Sequence, residues 1–361
     1  MTEHTHTLSR NDYLGDDVYA AEQERIFHRG WFLVGAGARL KPGNRTPVDV
    51  AGESVLLTRD LDGHLHALAN VCRHRGARLC DGPSDSRQGS VMCPYHAWTY
   101  ALDGRLIATP HLDAGEVDKS TLPLWAYHVR EWQGLVFISI SNDPPDFDEW
   151  MSTHCAGLLA LQRFGFGDLE VVASTRCDIQ ANWKIVVENY LECLHCTLVH
   201  PELVELVPLY RSGWVTDHSR DDGGVALSRG NSMSAAPIEL PPLPGSLPGD
   251  DTSYFGSTVF PNGFVDVTGP NVVVSTLYPE GPNRTVMTMH FLFHPDAIAT
   301  PGFDPQPIVD FNVLVGNQDN AVCEAVQRGV SSKAFTHGVL TPKDEHVIWF
   351  TQHYRRTMAD G

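Results

Sequence analysis

The chain has no apolar run that approaches the roughly 20 residues a helix needs to cross a bilayer. Its first ten residues, MTEHTHTLSR, lack the apolar core of a secretory leader. Positive charge is also scarce: 26 Lys and Arg stand against 44 Asp and Glu, a formal net charge of -18. That balance repels phosphate backbones and anionic lipid, so no nucleic acid and no membrane is expected as partner. With 8 cysteines in 361 residues there is no disulfide scaffold, and without a leader the thiols are expected to be reduced or metal-bound in a cytoplasmic protein. What is present, 42% hydrophobic and 19% charged residues, suits a globular chain long enough for two domains.

Asp16 to His28 reads as a first helix, capped by Asp16 or Asp17 and stopped by Gly30. From Thr46 onward short β-rich runs (PVDV, SVLLTR, HLHALANV) are separated by Ala51-Gly52 and Asp62-Gly63, and YALDGRLIATP carries a further turn at Asp103-Gly104. His64 and His66 read as strand residues facing solvent. Between these runs lie two ligand pairs, C72-R-H74-R-G and C93-P-Y-H96-A-W, with eighteen residues between them. Cys72, His74, Cys93 and His96 form a two-thiolate, two-imidazole set. A [2Fe–2S] cluster with both imidazoles on one iron uses such a set. Zinc accepts Cys2His2 as well, although zinc ribbons usually open with C-x2-4-C. Cys80 has no partner at a matching spacing and reads as structural.

A third motif lies in Asn182 to His200, NWKIVVENYLECLHCTLVH. On a helix, Glu188, Glu192 and His195 share a face. Pro201 disfavours helix at His200, and a bend there turns the second imidazole back toward the first. Cys193 and Cys196 spell C-x2-C, a zinc or redox spacing, but with no second pair they are expected to be buried packing thiols. Further on, Ile308 to Arg328 reads as one helix with Val315, Asp319, Val322 and Val326 on one side. An acid in an apolar stripe is costly unless paired or metal-bound, which makes Asp319 the third ligand beside His195 and His200. Two histidines and one carboxylate hold non-haem Fe(II) with positions left open for dioxygen. Glu324 is a weaker ligand candidate.

C-x-H-R-G followed by C-P-Y-H-x-W resembles the Rieske signature of the ring-hydroxylating oxygenase α subunits, more broadly the Rieske non-haem iron oxygenases. The context of Asp319, Q-D-x3-C-E-x-V-Q-R-G, is similar to that family's as well. The resemblance implies an α+β protein: an N-terminal all-β Rieske domain and a catalytic domain whose antiparallel sheet is flanked by helices in a helix-grip-like layout. The boundaries expected are 1–38 for an N-terminal helical segment of the catalytic domain, 39–145 for the Rieske domain and 146–361 for the mononuclear iron domain. It implies two cofactors: the cluster on Cys72, His74, Cys93 and His96, and Fe(II) on His195, His200 and Asp319. Glu192, three residues before the first iron ligand, takes the place of the carboxylate that carries electrons between subunits of a homotrimer. Asn182 and Asn189 are expected to tune the pocket.

Glu at the bridge, within E-N-Y-x-E-C-x-H-C, is similar to the branch acting on quaternary ammonium compounds such as choline, glycine betaine, stachydrine and carnitine. That implies O2-dependent hydroxylation of an N-methyl or other C–H bond, with electrons from an NAD(P)H-dependent reductase or ferredoxin. Tyr210, Trp214, Tyr254, Phe255, Phe260 and Phe264 are candidates for an aromatic cage around the cation. A dioxygenase acting on an aromatic ring is the alternative, and a Rieske electron carrier without oxygenase activity is another. Arg73, Arg75, Arg78 and Arg87 crowd the cluster motif and suggest a landing site for an acidic redox partner. The Pro- and Gly-rich run 236–250 reads as either a surface connector or a flap.

Overall fold

Two sets of β-branched, turn-punctuated runs give the two largest sheets. The structure, a computed structural model, describes residues 5–37, 40–82, 84–85, 89–113 and 115–360. Arg87 and the domain boundary at Arg39 lie outside the described residues. By its contacts the chain divides into Phe27–Trp150 and a second unit made of Met1–Ile26 with Met151–Gly361.

In Phe27–Trp150 a seven-stranded sheet runs in the order Phe32–Ala36, Leu135–Ser139, Ala126–Trp132, Leu65–Ala69, Glu53–Arg59, Asn44–Val50, Ser84–Asp85. The hairpin signals place its turns. Val50 pairs with Glu53 across Ala51-Gly52, both at positive φ (50° and 86°), the two-residue geometry that fits strand twist. Asp60 accepts the backbone N–H groups of Asp62 and His64 and so closes the next turn. His64 is exposed there with its Nδ1 3.4 Å from Asp60, and His66 bonds Asp60 at 2.9 Å; with Asp62, His64 and Asp60 form an acidic surface cluster at this turn. A three-stranded sheet, Ser90–Met92, Thr99–Ala101 and Leu106–Ala108, stands beside it. Its Tyr100 and Leu106 pack with Leu56, Leu68, Leu79 and Trp98 in one buried cluster.

The second unit holds a six-stranded antiparallel sheet ordered Glu170–Ile179, Thr285–Phe293, Asn271–Pro279, Gly263–Val267, Ser253–Val259, Val225–Ala226. Asn271–Pro279 is buried on both faces over most of its length, which accounts for the consecutive Val272, Val273 and Val274 rather than alternation. The 25-residue helix Gln306–Val330 packs on Trp183–Tyr190 and on Glu170–Ile179. Among the described residues no helix is long and apolar enough to cross a membrane.

Three expectations are corrected. The first is the Asn182 helix, which runs only from Trp183 to Tyr190, so Glu192 and His195 lie on a turn and not on a shared helical face. The second is the face that carries Asp319. It continues through the buried Cys323, Gln327 and Val330, whereas Val326 is 43% exposed. The third concerns the thiols: Cys193 and Cys196 are joined by a disulfide, because the turn between the helices brings their Cα atoms to 5.0 Å. The run 236–250 has almost no regular structure but is fastened down. Leu243 is buried and donates to Gly269 O at 2.7 Å, while Asp250 binds Arg163 at 3.0 Å and Leu247 N at 2.8 Å. It is a connector.

The start of the Trp183–Tyr190 helix is anchored by a fully buried ion pair, Lys184 with Glu22. Glu22 also accepts from Trp183 Nε1 at 2.9 Å and Tyr354 OH at 2.7 Å. A buried charge needs this many partners to be tolerated.

Candidate metal centres

The four candidate cluster ligands sit on two loops of the same design. Cys72 N donates to Ala77 O at 2.8 Å, and Gly76 N returns to Cys72 O at 3.0 Å. In the second loop Cys93 N donates to Trp98 O at 2.8 Å, and Ala97 N returns to Cys93 O at 3.1 Å. Each loop needs a left-handed residue four places after its cysteine. Gly76 has φ 71° and Ala97 has φ 58°.

Both thiols point inward and are 2% exposed. The imidazoles lie outside them: His74 is exposed, and its ring centroid is 4.7 Å from that of His96 and 4.7 Å from Trp98, stacked at 7° on the latter. Burial pushes the Cys93 thiol up, while the backbone N–H groups of Tyr95 and His96, aimed at its sulfur, pull it back. Tyr100 OH lies 3.3 Å from Cys72 Sγ. Buried sulfurs supplied with N–H donors and two outward imidazoles fit a Rieske cluster. Cys80 is spent locally, its Sγ on Gly82 O at 2.9 Å. Of the nearby arginines, Arg73 donates to Pro123 O and stacks on Trp125 at 3.9 Å, Arg75 lies over Tyr95 at 5.5 Å, and Arg78 pairs with Asp81 at 3.3 Å.

The second centre lies in the other unit. His195 precedes the short helix Cys196–Val199, and His200 sits between that helix and Pro201–Leu206 with φ -123° and ψ 67°, the non-helical backbone that a following proline favours. His195 Nε2 and His200 Nε2 converge on Asp319 Oδ1 at 3.2 and 2.8 Å. Their ring centroids are 5.2 Å apart. The far nitrogens are fixed too: His195 Nδ1 to Glu192 Oε1 at 2.6 Å, and His200 Nδ1 to Gln318 Oε1 at 2.8 Å. Glu192 in turn accepts from Leu194 N.

Burial alone would lower the His195 pKa, but Asp319 and Glu192 lift it to about 9. Burial would raise Asp319, and the two imidazoles hold it below its usual value. Two Nε2 atoms and a carboxylate oxygen thus face one another across a small space. A divalent ion suits the same space, with acceptors behind each ring as metal-binding histidines require.

A cavity of about 490 Å³ opens on these three residues, walled also by Tyr190, Tyr210, Tyr254 and Trp349. Of the aromatic residues expected around it, Tyr210 and Tyr254 are in the wall. Trp214 packs against His218 and Lys343, Phe255 against Phe164 and Arg163, Phe260 on His154, and Phe264 on Tyr190. Strand alternation separates Tyr254 from its neighbour Phe255. Tyr190 and Trp349 were missed. Asn189 lines the cavity, but Asn182 does not: its side chain caps the Trp183 helix, accepting from Lys184 N at 3.0 Å and donating to Tyr13 O and Pro282 O. Glu324 lies away from the triad, on Gln180 N at 3.2 Å.

Comparison with known proteins matches residues 166–360 to the ring hydroxylating alpha subunit (catalytic domain) family and residues 30–129 to the Rieske [2Fe-2S] domain. The chain is 29% identical to the glycine betaine monooxygenase oxygenase subunit of Chromohalobacter salexigens, over 98% of this chain and 86% of that protein. It is 28% identical to the carnitine monooxygenase oxygenase subunit of Acinetobacter pittii, over 96% and 93% respectively. Among solved structures, a quaternary ammonium Rieske monooxygenase superposes with a TM-score of 0.81 at 25% identity, covering 98% of this chain and 96% of that one.

Proposed function

From the premise that this chain belongs to the Rieske-type ring-hydroxylating oxygenase α subunits, we propose that it hydroxylates an N-methyl or neighbouring C–H bond of a small quaternary ammonium compound. A Rieske [2Fe–2S] cluster and a mononuclear iron are its cofactors: when bound, the first supplies electrons and the second offers open positions to dioxygen. The observation that carries the reading is the convergence of His195 and His200 on Asp319, with Glu192 on the far nitrogen of His195.

Cys72, His74, Cys93 and His96 hold the cluster, and His195, His200 and Asp319 hold the iron. Glu192 fixes the ring of His195, and its side chain stays 18% exposed. Six residues on, Leu198 is 90% exposed, an apolar side chain suited to being covered by a second copy in a homotrimer. The cluster histidines of that copy then reach the outer side of Glu192, which links the two centres between subunits. A reductase or ferredoxin delivers the electrons to the cluster.

The net chemistry takes one O2, two electrons and two protons. One oxygen atom enters the substrate hydroxyl and the other leaves as water. A hydroxylated N-methyl then releases formaldehyde and the demethylated amine. The aromatic wall of the cavity and the ammonium substrates named for the relatives support this class over an aromatic ring. Oxygen uptake with a reductase, assayed beside formaldehyde release, tests it. Glycine betaine, choline and carnitine are expected to stimulate uptake, and stimulation by benzoate-like acids alone would overturn the ammonium assignment.

A further inference from the structure

A second, smaller cavity of about 110 Å³ adjoins the iron cavity, and the two share Tyr190, Leu203, Tyr210 and Tyr254. Its floor is an acid. Asp266 lies in the apolar strand Gly263–Val267, directly across from Gly256. Tyr190 OH and Tyr254 OH both donate to Asp266 Oδ1 at 2.6 Å. Gly256 makes the convergence possible, since a Cβ there would sit 2.7 Å from Tyr254 OH and 2.8 Å from Tyr190 OH.

Phe264, two residues before Asp266 and so on the same face of the strand, stacks on the Tyr190 ring at 4.0 Å and 13°. Among the described residues no Lys, Arg or His lies within ion-pair distance of Asp266, and its Oδ2 receives no hydrogen bond. Burial pushes its pKa up to about 6, with the two phenols holding it from rising further. Near neutral pH it is therefore largely a carboxylate without a cation. A carboxylate in such surroundings is costly unless something positive comes to it.

We propose that Asp266, with the faces of Tyr190, Tyr210 and Tyr254, is the subsite that receives the permanent positive charge of the substrate, so that the enzyme selects a cation over its uncharged isostere. This rests on the ammonium reading above and adds the residue that enforces it. The two phenols accept no formal charge. They hold one carboxylate oxygen, leave the other free, and offer ring faces to N-methyl groups. The strand pairing of Asp266 with Gly256 thus sets specificity as well as sheet register.

The test is calorimetric binding to the holoenzyme without reductant, using two pairs in which only N⁺ becomes carbon: glycine betaine with 3,3-dimethylbutanoate, and choline with 3,3-dimethylbutan-1-ol. The wild type is expected to bind the cationic member at least ~10-fold more tightly, and Asp266→Asn to narrow that ratio to within about threefold. Asp266→Ser, which keeps an acceptor for the phenols, serves if the Asn variant does not fold. A wild-type ratio near one overturns the inference without any variant. So does a neutral variant that weakens both members alike, because Asp266 would then only brace the tyrosines. If neither cation binds the wild type, the ammonium reading itself falls; if cations bind without preference, only the role of Asp266 does.

Discussion

The two metal centres are assembled in opposite ways. Around the cluster, each ligand pair is held by backbone hydrogen bonds within its own six-residue loop, and the two loops repeat one pattern, Cys72 N to Ala77 O and Cys93 N to Trp98 O. Around the proposed iron site, His200 meets Asp319 from 119 residues away, and side chains rather than backbone orient the rings. A local site depends on turn conformation. A dispersed one depends on the packing of the helices that carry it. Mutations should therefore damage the two by different mechanisms.

The largest effect is expected at the dispersed site. Asp319→Ala should lower substrate-dependent oxygen uptake at least ~100-fold while leaving the visible spectrum of the cluster unchanged, since nothing local to the cysteine loops is touched. Glu192→Gln comes next: a loss of roughly 10- to 100-fold in turnover with substrate binding intact, read by comparing kcat with calorimetric Kd. An equal loss in Kd would show that Glu192 acts on substrate binding rather than as the link between centres.

Packing around the iron unit is expected to give the next effect. Lys184→Ala strands the buried Glu22 and should cost roughly 3–5 kcal/mol in urea unfolding, with iron lost before the cluster. Nearby, Glu188 accepts Tyr13 OH at 2.9 Å, and burial raises its pKa to about 7. A carboxyl raised in the folded state holds its proton longer than the unfolded chain does. Its contribution is complete below the ordinary value of 4.5 and is lost as pH rises from there through 7. Glu188→Gln should flatten that part of the stability profile by on the order of 1 to 2 kcal/mol, measured from unfolding midpoints at pH 5 and pH 7.

The smallest effects belong to the local site, where the left-handed positions of the two loops, Gly76 and Ala97, differ by one methyl group. Gly76→Ala should destabilise by about 1 kcal/mol from backbone strain alone, because a Cβ there meets nothing within 4 Å. Ala97→Gly should be neutral or stabilising by a few tenths to about 1 kcal/mol in thermal unfolding, because Ala97 already holds the strained conformation.

The same contrast explains what could be read from the sequence. C-x-H and C-x2-H are local, and so are the turns at Ala51-Gly52, Asp62-Gly63 and Asp103-Gly104, so composition and spacing reach them directly. Asp319 was reached through its apolar surroundings, yet the stripe first drawn through Val322 and Val326 was the wrong one. Helical periodicity from a single acid fits two neighbouring faces, and only the sheet and the Trp183 helix decide which is buried. The helix end at Tyr190 gave no glycine or proline signal; the chain leaves the helix so that Glu192 can reach both Leu194 N and His195. Asn182 looked like a pocket residue from its place in the motif, while the position before Trp183 reads equally as a helix cap. Asp266 did leave a signal, an acid within the apolar strand GFVDV, but its meaning depends on Tyr190 and Tyr254, which sit 76 and 12 residues away.

Iron and acid-labile sulfide counted together on purified protein test the two-centre reading most directly. About three irons and two sulfides per wild-type chain are expected, falling to about two and two in Asp319→Ala. Zinc without sulfide in the wild type, or a third iron retained in the Ala variant, would contradict it.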